Sequence, residues 1–416
     1  MNHITRLVLK SNIGRCSTRS VSNIIHNPSS TGFGILLDID GVLFRGRKLL
    51  PRVKDAFSKI IDSNGNFVVP TVFLTNGTNS TQKEKAEKLG ETLGFKIKEE
   101  CMVMAYAPLA DFKELHKKQV LVIGQQHAKD IAHSVGFKNV TTIEQLGNHF
   151  PHLDCTDFRR KTVQPEEIET IKKGFKNIEA VVMLGEPVKW EMSLQLLLDC
   201  LLTHGCMDMA VRASNNARKP HIPIVACNVD LVWMSDVVSP LPRIGHGVFI
   251  HILETLYEKL ADRKLHFHAV LGKPTEVTYL HATHIIQKQA REMGMGEVNT
   301  LYAVGDNPMS DVLGASLFNR YLRRGGLGRF DNQIISTHES EPVRNVVKSC
   351  VSMLVETGVY KEGCSINGVV RHINSLFSNM SVIEQALLRR PNFVEHDLYD
   401  AIETILSRER FRHPLK

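Results

Sequence analysis

Two aspartates, Asp38 and Asp40, follow directly on the apolar run Ile35-Leu36-Leu37. In an extended chain, residues two apart point to the same side. The two carboxylates therefore face one way while Ile39 turns into the core. Three later segments end in the same manner, with an apolar run giving way to reactive side chains. FVVPTVFLTN delivers Thr75 and Asn76, LGKPT delivers Lys273, and YAVGDNPMSD delivers Asp306, Asn307 and Asp311. Ligands of open α/β sheets bind outside the carboxyl ends of the strands, so these residues can converge although they lie far apart in the chain.

Together they supply carboxylates, a hydroxyl and an ammonium, which are the parts that phosphoryl transfer needs. A carboxylate can attack phosphorus and split one hard step into two through an acyl-phosphate. A magnesium ion held by a few carboxylates offsets the opposing negative charges. Lys273 adds a point charge for the phosphoryl oxygens. Thr75 and backbone N–H groups complete a cradle, with Gly41 letting the chain close round it. A second carboxylic acid can protonate the leaving alkoxide and later deprotonate water.

The elements that must position these groups alternate between strand and helix, which argues for a parallel sheet with helices on both faces. Strands are expected at 33–38, 67–76, 119–124, 178–185, 221–230, near 269–272, at 300–305 and within 350–360. Helices are expected at 51–62, 80–94, 125–137, 190–205, 248–260 and 275–293. The stretch 151–168, rich in Pro and polar residues, reads as a surface loop, and SPLPRIGHG (239–247) reads as a hinge. The alternation restarts at Gln119. This divides the chain into residues 31–114, the first part of a core, 115–238, an inserted α/β cap, and 239–360, the second part of the core. The extension 361–416 carries an amphipathic helix within NFVEHDLYDAIETILSRER.

The four motifs, in order, resemble those of the haloacid dehalogenase-like hydrolase superfamily: D-x-D-G as DIDGV, a strand ending in Thr as FLTN, a lysine as GKP, and G-D-x-x-x-[ST]-D as GDNPMSD. The resemblance covers roughly residues 33–360. It implies a Rossmann-like parallel-sheet core with an α/β cap placed after the second motif, and a magnesium-dependent phosphatase acting on a small phosphorylated metabolite. On that pattern Asp38 is the nucleophile and Asp40 the general acid/base. Thr75, Asn76, Gly41 and Lys273 hold the phosphoryl group. Asp38, Asp306 and the carbonyl of Asp40 hold magnesium, supported by Asn307 and Asp311. An aspartate at residue 40 favours hydrolysis, because transport ATPases of the superfamily carry threonine there and dehalogenases lack the second aspartate. Transfer of phosphate between sugars goes with a different cap. A binding or scaffold protein that retains the fold with little turnover is the alternative from another class. Caps of this class pair in relatives, so a homodimer through the cap stands beside a monomer as an open assembly.

Other residues admit two readings. Asp311 also stands where an N-cap for the next helix would be. Glu186 and Trp190 fit a salt-bridged glutamate and a core tryptophan, with substrate contact as the alternative. Asn228 and Asp230 either line the site or tie the hinge. The histidines His266, His268, His281 and His284 lack a third ligand nearby in sequence and read as structural or surface groups.

Composition sets the broad class. The 416 residues are 43% hydrophobic and 23% charged, ordinary for a globular protein of two domains. Four of the seven net positive charges come from Arg6, Lys10, Arg15 and Arg19, and no acid precedes Asp38. Residues 1–30 thus have the Arg- and Ser-rich, acid-free composition of a mitochondrial transit peptide, with a cytosolic tail as the alternative. Family-level association links this group to mitochondria and to glycerophospholipid synthesis. No basic run interleaved with aromatics points to nucleic acid. No stretch approaches the ~18 apolar residues of a membrane span. The eight cysteines form no C-x-x-C pair and read as reduced, mostly buried thiols.

Overall fold

A computed structural model describes residues 32–154, 163–208, 220–235, 241–325, 346–361 and 381–413. The expected transit peptide, residues 155–162 of the polar stretch 151–168 and the start of the 239–247 hinge lie outside them. The chain begins with β1 (Phe33–Leu37), a hairpin of β2 (Phe44–Arg45) and β3 (Lys48–Leu49), β4 (Thr71–Thr75) and β5 (Met102–Met104). It continues through β6 (Gln119–Ile123), β7 (Asn139–Thr142), β8 (Ala180–Met183) and β9 (Ile224–Cys227). A second hairpin, β10 (Val232–Trp233) and β11 (Arg243–Ile244), precedes β12 (Ala269–Leu271). β13 (Thr300–Gly305), β14 (Ser349–Val355) and β15 (Phe393–Glu395) complete it.

Two parallel sheets result. The first has the order β15-β14-β13-β1-β4-β5 and the second β12-β9-β8-β6-β7. β1 is central, with Ile35 opposite Tyr302 on one side and Thr71 on the other. Strands covered on both faces become continuous apolar runs, and all five residues of β1 are buried. Each buried Leu or Ile contributes about 1.5–3 kcal/mol. The pleat sends alternate residues to different layers. Ile35 and Leu37 join a cluster that also holds Val120, Val122 and Val225 of the second sheet, bridged by Leu109, Phe112 and Leu115. Leu36, Val72 and Leu74 face the other way, onto Tyr279, Ala282 and Ile286 of the helix Glu276–Glu292. On the far side of the second sheet, Leu121, Val181 and Ile224 pack on Leu197, Leu201, Phe249 and Leu253. The two sheets thus share one apolar layer.

Local signals set several boundaries. The helix Gln82–Leu93 opens with a capping box between Thr81 and Glu84 and closes on Gly94 in the left-handed region, as the sequence leads one to expect. Such a cap contributes about 1 kcal/mol. No described helix is long and apolar enough to cross a membrane. Cys101, Cys200, Cys227 and Cys350 are buried and free.

The structure differs from the sequence reading in several places, and within the expected loop 151–168 it has a 3-10 turn at Pro151–Leu153 and the start of the helix Pro165–Lys173. β12 pairs with β9 of the second sheet, whereas the strand before Lys273 was expected in the first. The helix His246–Ala261 also packs on that second sheet, through Phe249, Ile250 and Leu253. The second unit therefore extends past 238 to residue 271, because the apolar face of this helix matches the one presented by Leu197 and Leu201. Next, Phe393–Glu395, expected within a helix, is a strand paired with β14. Pro391 blocks a helix there, Asn392 bonds Ser352, and Asp397 caps the helix Leu398–Arg408 only afterwards. That helix packs on the core through Leu398, Ala401, Ile402 and Ile405, as its amphipathic pattern leads one to expect. Finally, Asp311 is no N-cap. Asn307 takes that place, its Oδ1 accepting from the Met309 N–H at 2.9 Å.

Candidate active site

The carboxyl ends of both sheets open onto one cleft of about 280 Å³. Asp38 and Asp40 follow β1, Thr75 and Asn76 end β4, and Asp306 and Asn307 follow β13. Gln125 follows β6, Glu186 follows β8, Asn228 and Asp230 follow β9, and Lys273 follows β12. All of these side chains line the cleft.

At its floor lies a buried ion cluster. Lys273 Nζ is 2.7 Å from Asp38 Oδ1 and 2.7 Å from Asp311 Oδ1. Carboxylate oxygens of Asp38, Asp306 and Asp311 lie within 4.8 Å of one another. Three buried carboxylates cannot share one ammonium without a penalty. Burial raises the Asp38 carboxyl well above its ordinary value; Lys273 opposes the rise, and Asp311 and Asp306 add to it. Burial, then Asp311, pushes Asp306 up to about 7. Burial acts to lower Lys273, but Asp311 and Asp38 outweigh it and hold the ammonium charged. This excess of hard oxygen donors over positive charge suits a divalent cation, so the residues fit the metal implied by the sequence.

The backbone is shaped round these groups. Gly41 has φ +92°, and a Cβ there would stand 2.3 Å from Asp306 Oδ2. Only glycine accommodates both the backbone angle and that approach. A Cβ on Gly305 would meet the Asp311 carboxyl carbon at 2.0 Å. Asp311 Oδ2 accepts from the Asn307 N–H at 3.1 Å, and its carbonyl accepts from the Tyr279 hydroxyl at 2.9 Å. The Thr75 hydroxyl oxygen accepts from the Gly77 N–H at 3.0 Å.

Asn76 joins the two sheets. Its Oδ1 accepts from the Lys273 N–H at 2.7 Å, while its Nδ2 donates to the Lys273 carbonyl at 2.9 Å and to Asp230 Oδ2 at 2.8 Å. Burial, opposed by Lys273 and by Asn76, pushes Asp230 up to about 6. A Cβ on Gly185 would stand 2.5 Å from Thr78 Oγ1, so the two halves are in contact there too.

Of the sequence-derived residues, Asp38, Asp40, Thr75, Asn76, Lys273, Asp306 and Asn307 line this cleft together with Glu186, Asn228 and Asp230, while Asp311 stands behind Lys273 and Gly41 against Asp306. Trp190 does not reach the cleft. Its ring packs edge-on to Phe249 at 5.4 Å, within the second sheet's core. Sequence reasoning missed Lys85, Gln125, Trp233, Met234 and Val359 as lining residues. Gln125 was recoverable, since it stands just past a strand end. Lys85 lies within an unremarkable charged helix, and Trp233 depends on where a two-residue hairpin folds.

Fold and site together define a parallel-sheet α/β protein with a metal-suited carboxylate cluster. Residues 35–138 match the model of the family described as haloacid dehalogenase-like hydrolase. The chain is 28% identical over 326 residues to a cardiolipin synthase (CMP-forming)/mitochondrial hydrolase fusion protein of Schizosaccharomyces pombe, covering 76% of this chain and 52% of that one. It is 24% identical over 406 residues to a mitochondrial hydrolase of Saccharomyces cerevisiae, covering 91% and 97%. It thus spans about half of the first relative's length and nearly all of the second's. Among solved structures, a possible sugar phosphatase from Cytophaga hutchinsonii superposes with a TM-score of 0.52 at 15% identity, covering 90% and 96%. A hypothetical protein from Pyrococcus horikoshii gives 0.50 at 17%, covering 90% and 99%. Residues 35–138 are thus similar to the haloacid dehalogenase-like hydrolases.

Proposed function

We propose that the chain is a magnesium-dependent phosphatase that hydrolyses a small phosphorylated metabolite through an aspartyl-phosphate on Asp38. The observation that carries this reading is the placement of Asp38: one carboxylate oxygen is held by Lys273, and the residue lines the cleft beside Asp40 and Asp306. The other oxygen of Asp38 attacks phosphorus, and the bond from phosphorus to the leaving oxygen breaks. Asp40 gives its proton to the departing alkoxide. It then takes a proton from water, which attacks the acyl-phosphate and releases inorganic phosphate and free Asp38. Lys273, Thr75 and backbone N–H groups near Gly41 and Asn76 orient the phosphoryl oxygens. Asp38, Asp306 and the Asp40 carbonyl, with Asp311 and Asn307 in support, would hold magnesium, which would supply positive charge to the transferring group.

A cleft of about 280 Å³ is at the small end of ligand sites and favours a metabolite over a folded phosphoprotein. A mitochondrial setting is supported by the acid-free, Arg-rich residues 1–30 and by the names of the two yeast relatives. The fusion of one of them to cardiolipin synthase supports a substrate from glycerophospholipid metabolism. The test is magnesium-dependent release of phosphate from an aryl phosphate and from a panel of metabolite phosphates, comparing wild type with Asp38→Asn. The substitution is expected to cost at least about 10³-fold in kcat/KM. If wild type cleaves no substrate faster than Asp38→Asn does, the enzyme reading fails and the scaffold alternative stands. For location, a fusion lacking residues 1–30 that still reaches mitochondria sinks the transit-peptide reading.

A further inference from the structure

Asp306 is held from a direction that the four motifs do not include. After β14 the chain turns back over the cleft as a short strap, Thr357–Tyr360. The Val359 N–H donates to Asp306 Oδ2 at 2.6 Å, and the Tyr360 N–H donates to the Asp306 carbonyl at 3.1 Å. The Thr357 hydroxyl donates to the Gly41 carbonyl at 2.6 Å. Gly358 is buried, and a Cβ there would stand 1.8 Å from Asp306 Oδ2. That same oxygen is the nearest atom to a Cβ built on Gly41. It therefore sits between two glycines with one backbone donor on it. Val359 also lines the cleft.

The strap is held from below. Its first residue continues from β14, which pairs with β15 at Val355 and Glu395, and the Glu356 N–H donates to the Glu395 carbonyl at 3.2 Å. The strand Phe393–Glu395 thus anchors the residue that leads into the strap.

We propose that the strap Thr357–Tyr360 is the positioning device for Asp306. It fixes Oδ2 with the Val359 N–H, leaves Oδ1 as the oxygen for a cation, and locks the Gly41 turn to the same carboxylate through Thr357. The proposal rests on the metal-dependent reading given above. A hydrogen bond to a ligating carboxylate sets its orientation, and losing such outer partners lowers metal affinity about 10–100-fold. The Asp306 side chain is short and buried. A methyl group at residue 358 therefore displaces the carboxylate rather than pushing aside a flexible chain end.

The experiment measures magnesium binding by calorimetry on the full chain, with no substrate present, for wild type, Gly358→Ala, Thr357→Val and Thr357→Ser. Gly358→Ala is expected to weaken magnesium binding at least about 10-fold, with its near-UV circular dichroism unchanged. Thr357→Val is expected to weaken it several-fold, and Thr357→Ser, which keeps the hydroxyl, to restore it. A folded Gly358→Ala that binds magnesium like wild type overturns the proposal while leaving the hydrolase reading intact. If Gly358→Ala does not fold, the Thr357 pair decides, and equal affinity in the two overturns the proposal. Wild type that binds no magnesium overturns both.

Discussion

The two sheets of this protein are both parallel and bring different groups to the cleft they share. The first delivers Asp38, Asp40 and Asp306 from β1 and β13, strands paired on both sides. The second delivers Lys273 from β12, a strand at its edge, with Asn228, Asp230 and Glu186 from neighbouring loops. Groups that must stay close together against their own repulsion sit on the stiffest part of the fold. The cation that relieves the repulsion arrives from the other sheet, so the ion cluster at the floor of the cleft is also a joint between the two halves.

Replacing that cation should give the largest effect. Lys273→Met leaves Asp38 and Asp311 buried without their ammonium. It is expected to abolish measurable turnover and to lower stability by about 3 kcal/mol, read by denaturant unfolding. A stability equal to wild type would mean that the two sheets do not depend on the ion cluster. Asp230→Asn should have a smaller effect, and one that depends on pH. Asp230 holds its proton up to about pH 6 in the folded state, against an ordinary value of 3.8. The folded chain therefore binds more protons than the unfolded chain between those values, and stability falls as pH rises through that window. Asp230→Asn is expected to remove this part of the decline in Tm; a Tm profile that stays parallel to wild type between pH 4 and pH 7 would refute it. The smallest effects separate two neighbours. Glu186→Gln is expected to change KM several-fold with kcat unchanged, since Glu186 lines the cleft. Trp190→Phe should leave both within about 2-fold, because its ring rests on Phe249. Steady-state kinetics decide both.

The same contrast explains what could be read from the sequence. The first sheet's contribution was legible because charge placed at the end of an apolar run is expensive and therefore conspicuous. Asp38 and Asp306 both announce themselves in this way, and the order of strands and helices between them follows from apolar periodicity. The second sheet's contribution was only half legible. Glu186 and Trp190 are four residues apart in one segment, yet one lines the cleft and the other fills a core. That difference depends on where the helix Trp190–Leu202 begins, and its N-cap residue, Lys189, makes no side-chain cap to mark the start. The strand before Lys273 looked like any other core strand, since nothing in Ala269-Val270-Leu271 records which neighbour it pairs with. Thr357, Gly358 and Val359 carried no signal at all, because what they contribute is a hydroxyl, the absence of a side chain and a backbone N–H.

Asn76 has a further consequence. Its amide takes both the N–H and the C=O of Lys273, as an adjoining strand would, so one side chain serves as a rivet between the sheets. Any swing of the second sheet away from the first must either shear that rivet or drag the ammonium off Asp38. Separation of the two sheets and the Lys273–Asp38 ion pair are therefore mutually exclusive.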